Sequence, residues 1–454
     1  RLSLALMAVV GLALSLLLLL GAPLYARYVV HEPKAALSVM AVAPAVFLVS
    51  VMSAYRGFFQ GLQEMGPTAV SQVIEQLARI GTMLLLAWLL LPYGIEYSAA
   101  GATFGAVTGA VVGLVYLVYL YLRSPVRRLV TVPSGACAAG APPASATPSA
   151  RELLGQVLAL AVPISLVGVI QPLVGVLDSV VVPVRLHAAG FDSVTATSLY
   201  GMLTGFATPF VIAPTVFAAA VATSLVPSVS ESAAVGDLEG LRRKHDLGLR
   251  FTLLLVLPSA AGLLALAREI PATFFDSPET GGPLALLALG TLFLGLQQTT
   301  SAFLYGVGDA RVPVRSLLLG ALVKLAATWA LTGLPAVHVN GAALGTSSGF
   351  LVAAWLNLRH LEARLGRRVD WAAIGGKVLL ASVLMAVLAR LLFLVLQPAL
   401  GLKLSTLIAV AGGAVLYVVA LGLVGGITAR ELAFIPGAGP WLARILRRLG
   451  LLRG

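Results

Sequence analysis

A short polar stripe interrupts the apolar stretch over residues 68–92. Its members are spaced i, i+3, i+4 and i+7, which places them on one face of a helix; they are Gln72, Glu75, Gln76 and Arg79. A carboxylate and a guanidinium four residues apart can form an ion pair, so Glu75 is predicted to pair with Arg79. The stripe could line a water-filled space and bind a polar substrate, or the pair could serve only to fix helix packing.

Other apolar stretches also carry polar side chains. Asp178 and Lys324 each lie inside such a stretch, with Gln171 on the same helix face as Asp178. An ionisable group in the middle of a bilayer costs about 2.5–3.5 kcal/mol on insertion scales, so it usually faces a cavity or a partner. These positions are therefore candidates for function.

Five further residues have simpler explanations beside a functional one. Arg56, Gln60 and Gln63 form a second polar face at the end of a predicted helix, from which an arginine can reach the aqueous interface. Gln297 and Gln298 are adjacent within another apolar stretch and could only hydrogen-bond to neighbouring helices. Both alternatives stay open.

Cations outnumber acids among the candidates, since Arg56, Arg79 and Lys324 stand against Glu75 and Asp178. A site with net positive charge suits an anionic substrate, and the planar guanidinium suits phosphate in particular. We therefore predict a substrate site formed by Arg56, Gln60, Gln72, Glu75, Gln76, Arg79 and Lys324, with Asp178 as the candidate for ion coupling. No cofactor or metal site is predicted, because the acids and histidines lack metal-ligand spacing.

The elements that must position these residues are membrane helices. Hydrophobic residues make up 59% of the 454 residues and charged residues only 11%, against about a quarter in soluble proteins. Apolar runs long enough to span a bilayer recur along the chain, which predicts an all-α polytopic membrane protein. Its predicted spans lie near residues 2–22, 36–56, 68–92, 98–123, 153–183, 197–224, 249–267, 283–307, 312–333, 340–358, 371–397 and 404–426.

Positive charge is concentrated on one side of this topology. The loops after the fourth, sixth, eighth and tenth spans, with the C-terminal tail, hold most of the 30 Lys and Arg residues. The opposite loops hold Arg27, Lys34, Arg185, Arg268 and Lys403. The bias predicts a cytoplasmic C-terminus. The net charge of +12 thus reflects topology, and no nucleic-acid partner is predicted.

An internal repeat relates two parts of the chain. Three glycines spaced four apart within residues 101–109 recur within residues 341–349, and Arg79 corresponds to Lys324 at a similar offset. Spans 2–4 therefore match spans 8–10, and an even separation makes the copies parallel. The repeat predicts two pseudo-symmetric six-helix lobes around a central cavity, two extra C-terminal helices, and about 14 spans in the full-length protein.

The predicted domain boundaries follow from the repeat and from local composition. Residues 1–123 form the N-terminal lobe with the last four of its six helices, and residues 124–152 form a cytoplasmic linker of small residues and proline. Residues 153–362 form the C-terminal lobe, residues 363–429 the two additional helices and residues 430–454 a basic tail. The tail either lies on the anionic inner leaflet or is solvated.

Three segments resemble SpoVB-like polysaccharide biosynthesis proteins of the multidrug/oligosaccharidyl-lipid/polysaccharide (MOP) flippase superfamily, which includes relatives of MurJ and Wzx. They are YRGFFQGLQEMGPTAVSQVIEQLARI (residues 55–80), AGATFGAVTGAVVGLVYL (residues 100–117) and the stretch over residues 185–232. The resemblance implies two lobes that alternate between inward-open and outward-open states, with a groove for a lipid tail on the extra helices. It also implies that Asp178 and Lys324 lie in one lobe, so the two are predicted to pair.

The resemblance further implies a monomeric flippase in the bacterial cell membrane that exports saccharides, such as lipid II-like precursors, linked to undecaprenyl diphosphate. Some family members bind sodium through acids on the helices that match spans 5 and 9. Asp178 could match the first, but span 9 carries Lys324 instead, so coupling to Na⁺, to H⁺ or to the membrane potential stays open.

Two other functions are alternatives to a flippase. A drug or cation antiporter of the same superfamily would favour an acid-rich cavity, which the charge balance opposes. A membrane glycosyltransferase or polymerase would need paired acids near a membrane surface, and the sequence has no D-x-D motif. The chain is therefore predicted not to be an enzyme, and a non-transporting scaffold is the remaining alternative.

Overall fold

A computed structural model describes residues 2–28, 34–62, 64–124 and 150–426. Every regular element in these ranges is a helix. The chain divides into two compact units, Arg1–Val157 (unit 1) and Leu158–Gly454 (unit 2). Most of the predicted linker, the predicted tail and Gln63 lie outside the described residues.

The described residues of unit 1 before residue 150 form four long helices. They are α1 (Leu2–Tyr28), α2 (Ala35–Gly61), α3 (Met65–Leu90) and α4 (Ile95–Arg123). The Ser15 hydroxyl on α1 donates to the Ala43 carbonyl on α2 at 2.8 Å, and α4 packs against both α2 and α3. A buried apolar cluster of this unit lies between α2 and α4, around Met52, Phe59 and Leu117.

Unit 2 takes up the remaining described helices. They are α5 (Ala150–Ala188, which begins in unit 1), α6 (Ser193–Gly201), α7 (Thr208–Ala234), α8 (Leu238–Ala265), α9 (Glu269–Phe275), α10 (Gly281–Gly306), α11 (Arg311–Thr332), α12 (Val339–Leu365) and α13 (Lys377–Leu423). A π-helical turn, Met202–Ala207, joins α6 to α7 just before Pro209, whose ring cannot donate a backbone hydrogen bond. The largest buried cluster includes Leu186, Leu284 and Ala343.

The membrane spans agree with the sequence prediction. Eleven helices of the described ranges are long and apolar enough to cross a bilayer. The last of them contains a break at Gly401, where φ is 72° and ψ is 177°, a backbone conformation that favours glycine. Because this break divides α13 into two segments, the chain has the spans predicted near residues 371–397 and 404–426.

The glycine repeats are sites of close helix packing in both units. A Cβ added at Gly105 on α4 would lie 2.8 Å from the carbonyl oxygen of Arg79 on α3. The equivalent Cβ at Gly345 on α12 would lie 2.9 Å from the carbonyl oxygen of Lys324 on α11. Small residues at four-residue spacing let helix backbones approach in this way. The repeat found in the sequence is therefore also a repeat of helix contacts, with Arg79 and Lys324 at matching places.

Replacing Gly105 by alanine is expected to lower the thermal stability of the purified protein, because the added methyl group meets the α3 backbone. Overpacking of this kind costs about 1–3 kcal/mol. The matched control is Gly81→Ala, a helical glycine with open space around it, where the higher helix propensity of alanine should preserve or raise stability. Equal melting temperatures for the two variants in detergent would contradict the close packing.

Candidate functional site

The carboxylate of the polar stripe pairs with a different arginine from the one predicted. Arg56 on α2 places its Nη2 atom 2.7 Å from Oε2 of Glu75 on α3, and both side chains are largely buried. The Arg56 Nε–H donates to the Ser71 hydroxyl at 3.1 Å, so α3 holds the guanidinium at two points one turn apart. The prediction of a Glu75–Arg79 pair is therefore wrong. Local spacing permitted that pair, but the contact between α2 and α3 supplies a better-placed partner.

Arg79 is consequently left without a counter-charge among the described residues. Its side chain is exposed, as are those of Gln72 and Gln76 on the same stripe, and no carboxylate of the described ranges pairs with it. Arg79 lies 14 residues after Met65, the first residue of α3, which is about 21 Å along the helix axis at 1.5 Å per residue. This is close to the middle of a bilayer-spanning helix. Gln60, four residues after Arg56 on α2, is half-buried.

In unit 2, Asp178 and Lys324 form the predicted pair. The Nζ atom of Lys324 on α11 lies 2.6 Å from Oδ2 of Asp178 on α5, and each side chain is 16% exposed. The other carboxylate oxygen of Asp178 is buried and has no hydrogen-bond partner among the described residues. Gln171, on the preceding part of α5, is exposed.

The two candidate cations occupy equivalent places but differ in charge balance. Lys324 lies 13 residues after Arg311, the first residue of α11, so its depth matches that of Arg79. The residue that corresponds to Glu75 in the second copy is Gly320, whose position opposite Gly349 leaves no room for a side chain. The acid of unit 2 comes instead from α5. Each unit thus has its own acid–cation pair, but only in unit 2 does the pair include the mid-span cation.

Gln297 takes part in a buried polar network that joins α10 and α12 of unit 2, beside a separate hydroxyl contact between α8 and α10. Its Nε2 donates to the Ser301 hydroxyl at 3.1 Å, and Nδ2 of Asn357 on α12 donates to the same hydroxyl at 3.0 Å. The Thr252 hydroxyl on α8 lies 2.6 Å from that of Thr299 on α10. Gln297 itself bonds within α10 and reaches α12 only through the shared Ser301 hydroxyl, so its contacts support a packing role.

One ion pair in the apolar part of α13 was not predicted from the sequence. Arg390 lies within the run LLASVLMAVLARLLFLVL, and its Nη1 is 2.5 Å from Oε1 of the buried Glu269 on α9. A charge inside a span is itself the signal that could have found it. No group of three or more His, Cys, Asp or Glu side chains in the described ranges could hold a metal ion.

Comparison with known families places the chain among proteins with this helix arrangement. A sequence profile described as "Polysaccharide biosynthesis protein" matches residues 2–233, which is just over half of the chain. The chain belongs to the polysaccharide biosynthesis protein family. A second profile, described as MatE, matches residues 163–330 of this family member.

Curated relatives come from the same superfamily. Stage V sporulation protein B of Bacillus subtilis is 29% identical over 360 residues, which cover 78% of this chain and 67% of the relative. Lipid II flippase MurJ of the same organism is 29% identical over 320 residues, which cover 69% of this chain and 57% of that protein. The match to this chain thus spans little more than half the length of that flippase.

Solved structures share the fold. A structure described as lipid II flippase MurJ in an inward closed conformation superposes with a TM-score of 0.60 at 16% identity, covering 91% of this chain and 82% of that one. An outward-facing MATE family transporter of the MOP superfamily gives a TM-score of 0.62 at 15% identity, covering 80% and 77%. The present chain therefore has the all-helical, multi-pass fold of MOP-superfamily membrane transporters.

The pair in unit 2 is expected to show energetic coupling. Asp178→Asn and Lys324→Met should each destabilise the protein, because either change leaves a largely buried charge without its partner. The double variant should be more stable than the sum of the single effects predicts, by about 0.5–3 kcal/mol. A double-mutant cycle of thermal unfolding measures this term. Additive effects would contradict the pair.

A second cycle tests the corrected pairing in unit 1. Glu75→Gln and Arg56→Gln should be coupled, because their side chains bond directly at 2.7 Å. Glu75→Gln and Arg79→Gln should be coupled much more weakly, by no more than about 0.2–0.5 kcal/mol, as expected for neighbours on one helix face that are not directly bonded. The same unfolding measurement serves for both pairs. Strong coupling of Glu75 with Arg79, and none with Arg56, would support the pair that the spacing suggested.

Proposed function

We propose that this protein is a flippase that moves saccharides linked to undecaprenyl diphosphate from the inner to the outer leaflet by alternating access. The observation that carries the proposal is Arg79, an exposed guanidinium at mid-span depth with no carboxylate partner among the described residues. An uncompensated cation at that depth is costly unless water or an anion reaches it. The head group of a lipid-linked saccharide brings such an anion, its diphosphate.

The chemistry of the candidate side chains supports a phosphate ligand. A guanidinium offers a planar fork of donors that matches two oxygens of one phosphate group. Arg79 has this fork free, and the exposed amides of Gln72 and Gln76 can add neutral hydrogen bonds to the saccharide. Arg56 is held by Glu75, so its part in the site would be to position α3 beside α2 rather than to meet the substrate first.

In unit 2, Lys324 is the candidate cation for an anionic substrate. Asp178 neutralises it while no substrate is present, and an arriving diphosphate could take over the ammonium. Asp178 would then be left to bind a proton or another cation, through which transport could be coupled to an ion gradient. This exchange gives the Asp178–Lys324 pair a role in transport and assigns no metal or organic cofactor.

The relatives support a flippase over the alternatives. Those named above include a lipid II flippase and a MATE family transporter, which favours a transporter over a membrane glycosyltransferase. The MatE match over residues 163–330 keeps a drug or cation antiporter as the second candidate, but the surplus cation in unit 1 opposes a cationic substrate. We further propose a monomer in the cell membrane with a cytoplasmic C-terminus, following the distribution of Lys and Arg.

Replacing Arg79 by alanine is expected to abolish flipping of a lipid-linked saccharide in liposomes that contain this protein. Arg79→Lys should also lose most activity, because an ammonium cannot make the planar two-point contact. Transport is to be normalised to the amount of folded protein in the membrane. The matched control is Lys34→Gln, which removes an exposed cation at the end of a span and should leave the rate unchanged.

A full transport rate for folded Arg79→Ala would contradict the assigned role of Arg79. Efflux of a cationic dye by the wild type, without any flipping of lipid-linked saccharides, would favour the antiporter. The two assays together therefore separate a wrong residue from a wrong substrate class.

A further inference from the structure

A second polar pocket lies in unit 2, away from Lys324 and Asp178. Its volume is about 420 Å³, within the range of ligand pockets, roughly 300–1,000 Å³. The pocket lies between α9, the segment that follows it, and the two parts of α13 on either side of Gly401. Its lining includes Arg268, Glu269, Asp276, Arg390, Phe393 and Leu402. The loops at this end of unit 2 belong to the side that the Lys and Arg distribution assigns to the outside.

The charges on this pocket leave one cation free. Glu269 is buried and bonded to Arg390 at 2.5 Å, so this carboxylate is already neutralised. Asp276 is 78% exposed at the rim and lies 3.2 Å from Nζ of Lys403. Arg268 is exposed, lines the pocket and has no ion pair among the described residues. The pocket with its rim therefore carries a surplus of one positive charge.

Arg390 can also bind beyond its present partner. One of its terminal nitrogens contacts Glu269, and its side chain is 40% exposed on the pocket wall. A guanidinium has five N–H donors, so several remain available to a ligand. Arg268 and Arg390 thus offer two sets of donors on one pocket, an arrangement that suits the oxygens of a phosphate group.

Apart from Gln397, the remaining wall is mostly apolar and continues onto exposed leucine and valine side chains of α13. Phe393 is buried, whereas Leu394 next to it is 48% exposed, and Leu402 completes this side. A ligand that only carried a phosphate would leave this wall in contact with water, which is unfavourable for apolar surface. A phosphate joined to acyl chains would cover it.

We propose that this pocket binds an anionic phospholipid of the outer leaflet, with its phosphate on Arg268 and Arg390 and the first part of its acyl chains along Leu394. The ligand is a resident lipid of the membrane, and the site is separate from the one proposed for the transported substrate. Its occupant would bridge α9 and α13, and thereby hold the last two spans against the rest of unit 2.

The test is a binding titration with the purified chain in a neutral detergent. Short-chain phosphatidylglycerol should bind saturably, whereas phosphatidylcholine of the same chain length, whose phosphate is balanced by its own ammonium, should bind at least about tenfold more weakly. Arg268→Gln should weaken phosphatidylglycerol binding about tenfold, as expected for one charged hydrogen-bonding group. The matched control, Arg315→Gln, removes an exposed arginine near the start of α11 and should bind like the wild type.

A second variant covers Arg390, since replacing it alone would leave Glu269 buried and unpaired. The double variant Arg390→Gln/Glu269→Gln keeps a neutral hydrogen bond and should also bind phosphatidylglycerol about tenfold more weakly. Equal affinities of wild type and Arg268→Gln, or of the two lipids, would overturn the proposal. Displacement of phosphatidylglycerol by equimolar inorganic phosphate would overturn the lipid part and identify a free-anion site. Failure of flipping by the wild type would leave all these binding outcomes unaffected.

Discussion

The close approach of paired helices through glycine is the constraint on which the other functional positions depend. Where α4 meets α3, and α12 meets α11, the added Cβ atoms would lie within 3 Å of backbone carbonyls beside Arg79 and Lys324. The Cβ atoms of Arg79 and Lys324 lie in the same contacts, 3.0 Å and 2.8 Å from where a Cβ at Gly109 and at Gly349 would stand. The glycines therefore leave room for the base of each long side chain and fix the point from which each cation extends.

Pairing of charges then distinguishes the two units. Every intramembrane charge needs a partner, water or a ligand, and the chain meets this need in different ways. In unit 1 the carboxylate of α3 is used by Arg56 from α2, and in unit 2 the mid-span lysine is held by an acid from α5. Arg390 on α13 is satisfied by Glu269 in the same manner. Arg79, by contrast, is a mid-span cation with no ion pair among the described residues.

The sequence predicted much of this fold and part of the site, for identifiable physical reasons. Span lengths and the glycine repeat are local patterns that the bilayer and helix packing impose directly, so the spans and the equivalence of Arg79 with Lys324 could be read from them. The Asp178–Lys324 pair followed from the family resemblance. The partner of Glu75 could not be predicted, because spacing along one helix says nothing about Arg56 on its neighbour. The Arg390–Glu269 pair was not predicted because Glu269 lies in a predicted loop between two spans. An acid in a loop is normally solvated, so its position did not indicate a partner inside a span.

The unequal charge balance of the two repeats has an electrical consequence. Displacing one elementary charge through the whole membrane potential involves work of about 2.3 kcal/mol per 100 mV. A lysine bonded to an aspartate moves as a neutral dipole, so rearrangement of α5 with α11 requires little of that work. An arginine with no counter-charge moves as a full charge unless it carries an anion with it. In a polarised cell, movement of α3 would therefore depend on the membrane voltage. Movement of α11 would depend on it only weakly while Lys324 stays bonded to Asp178.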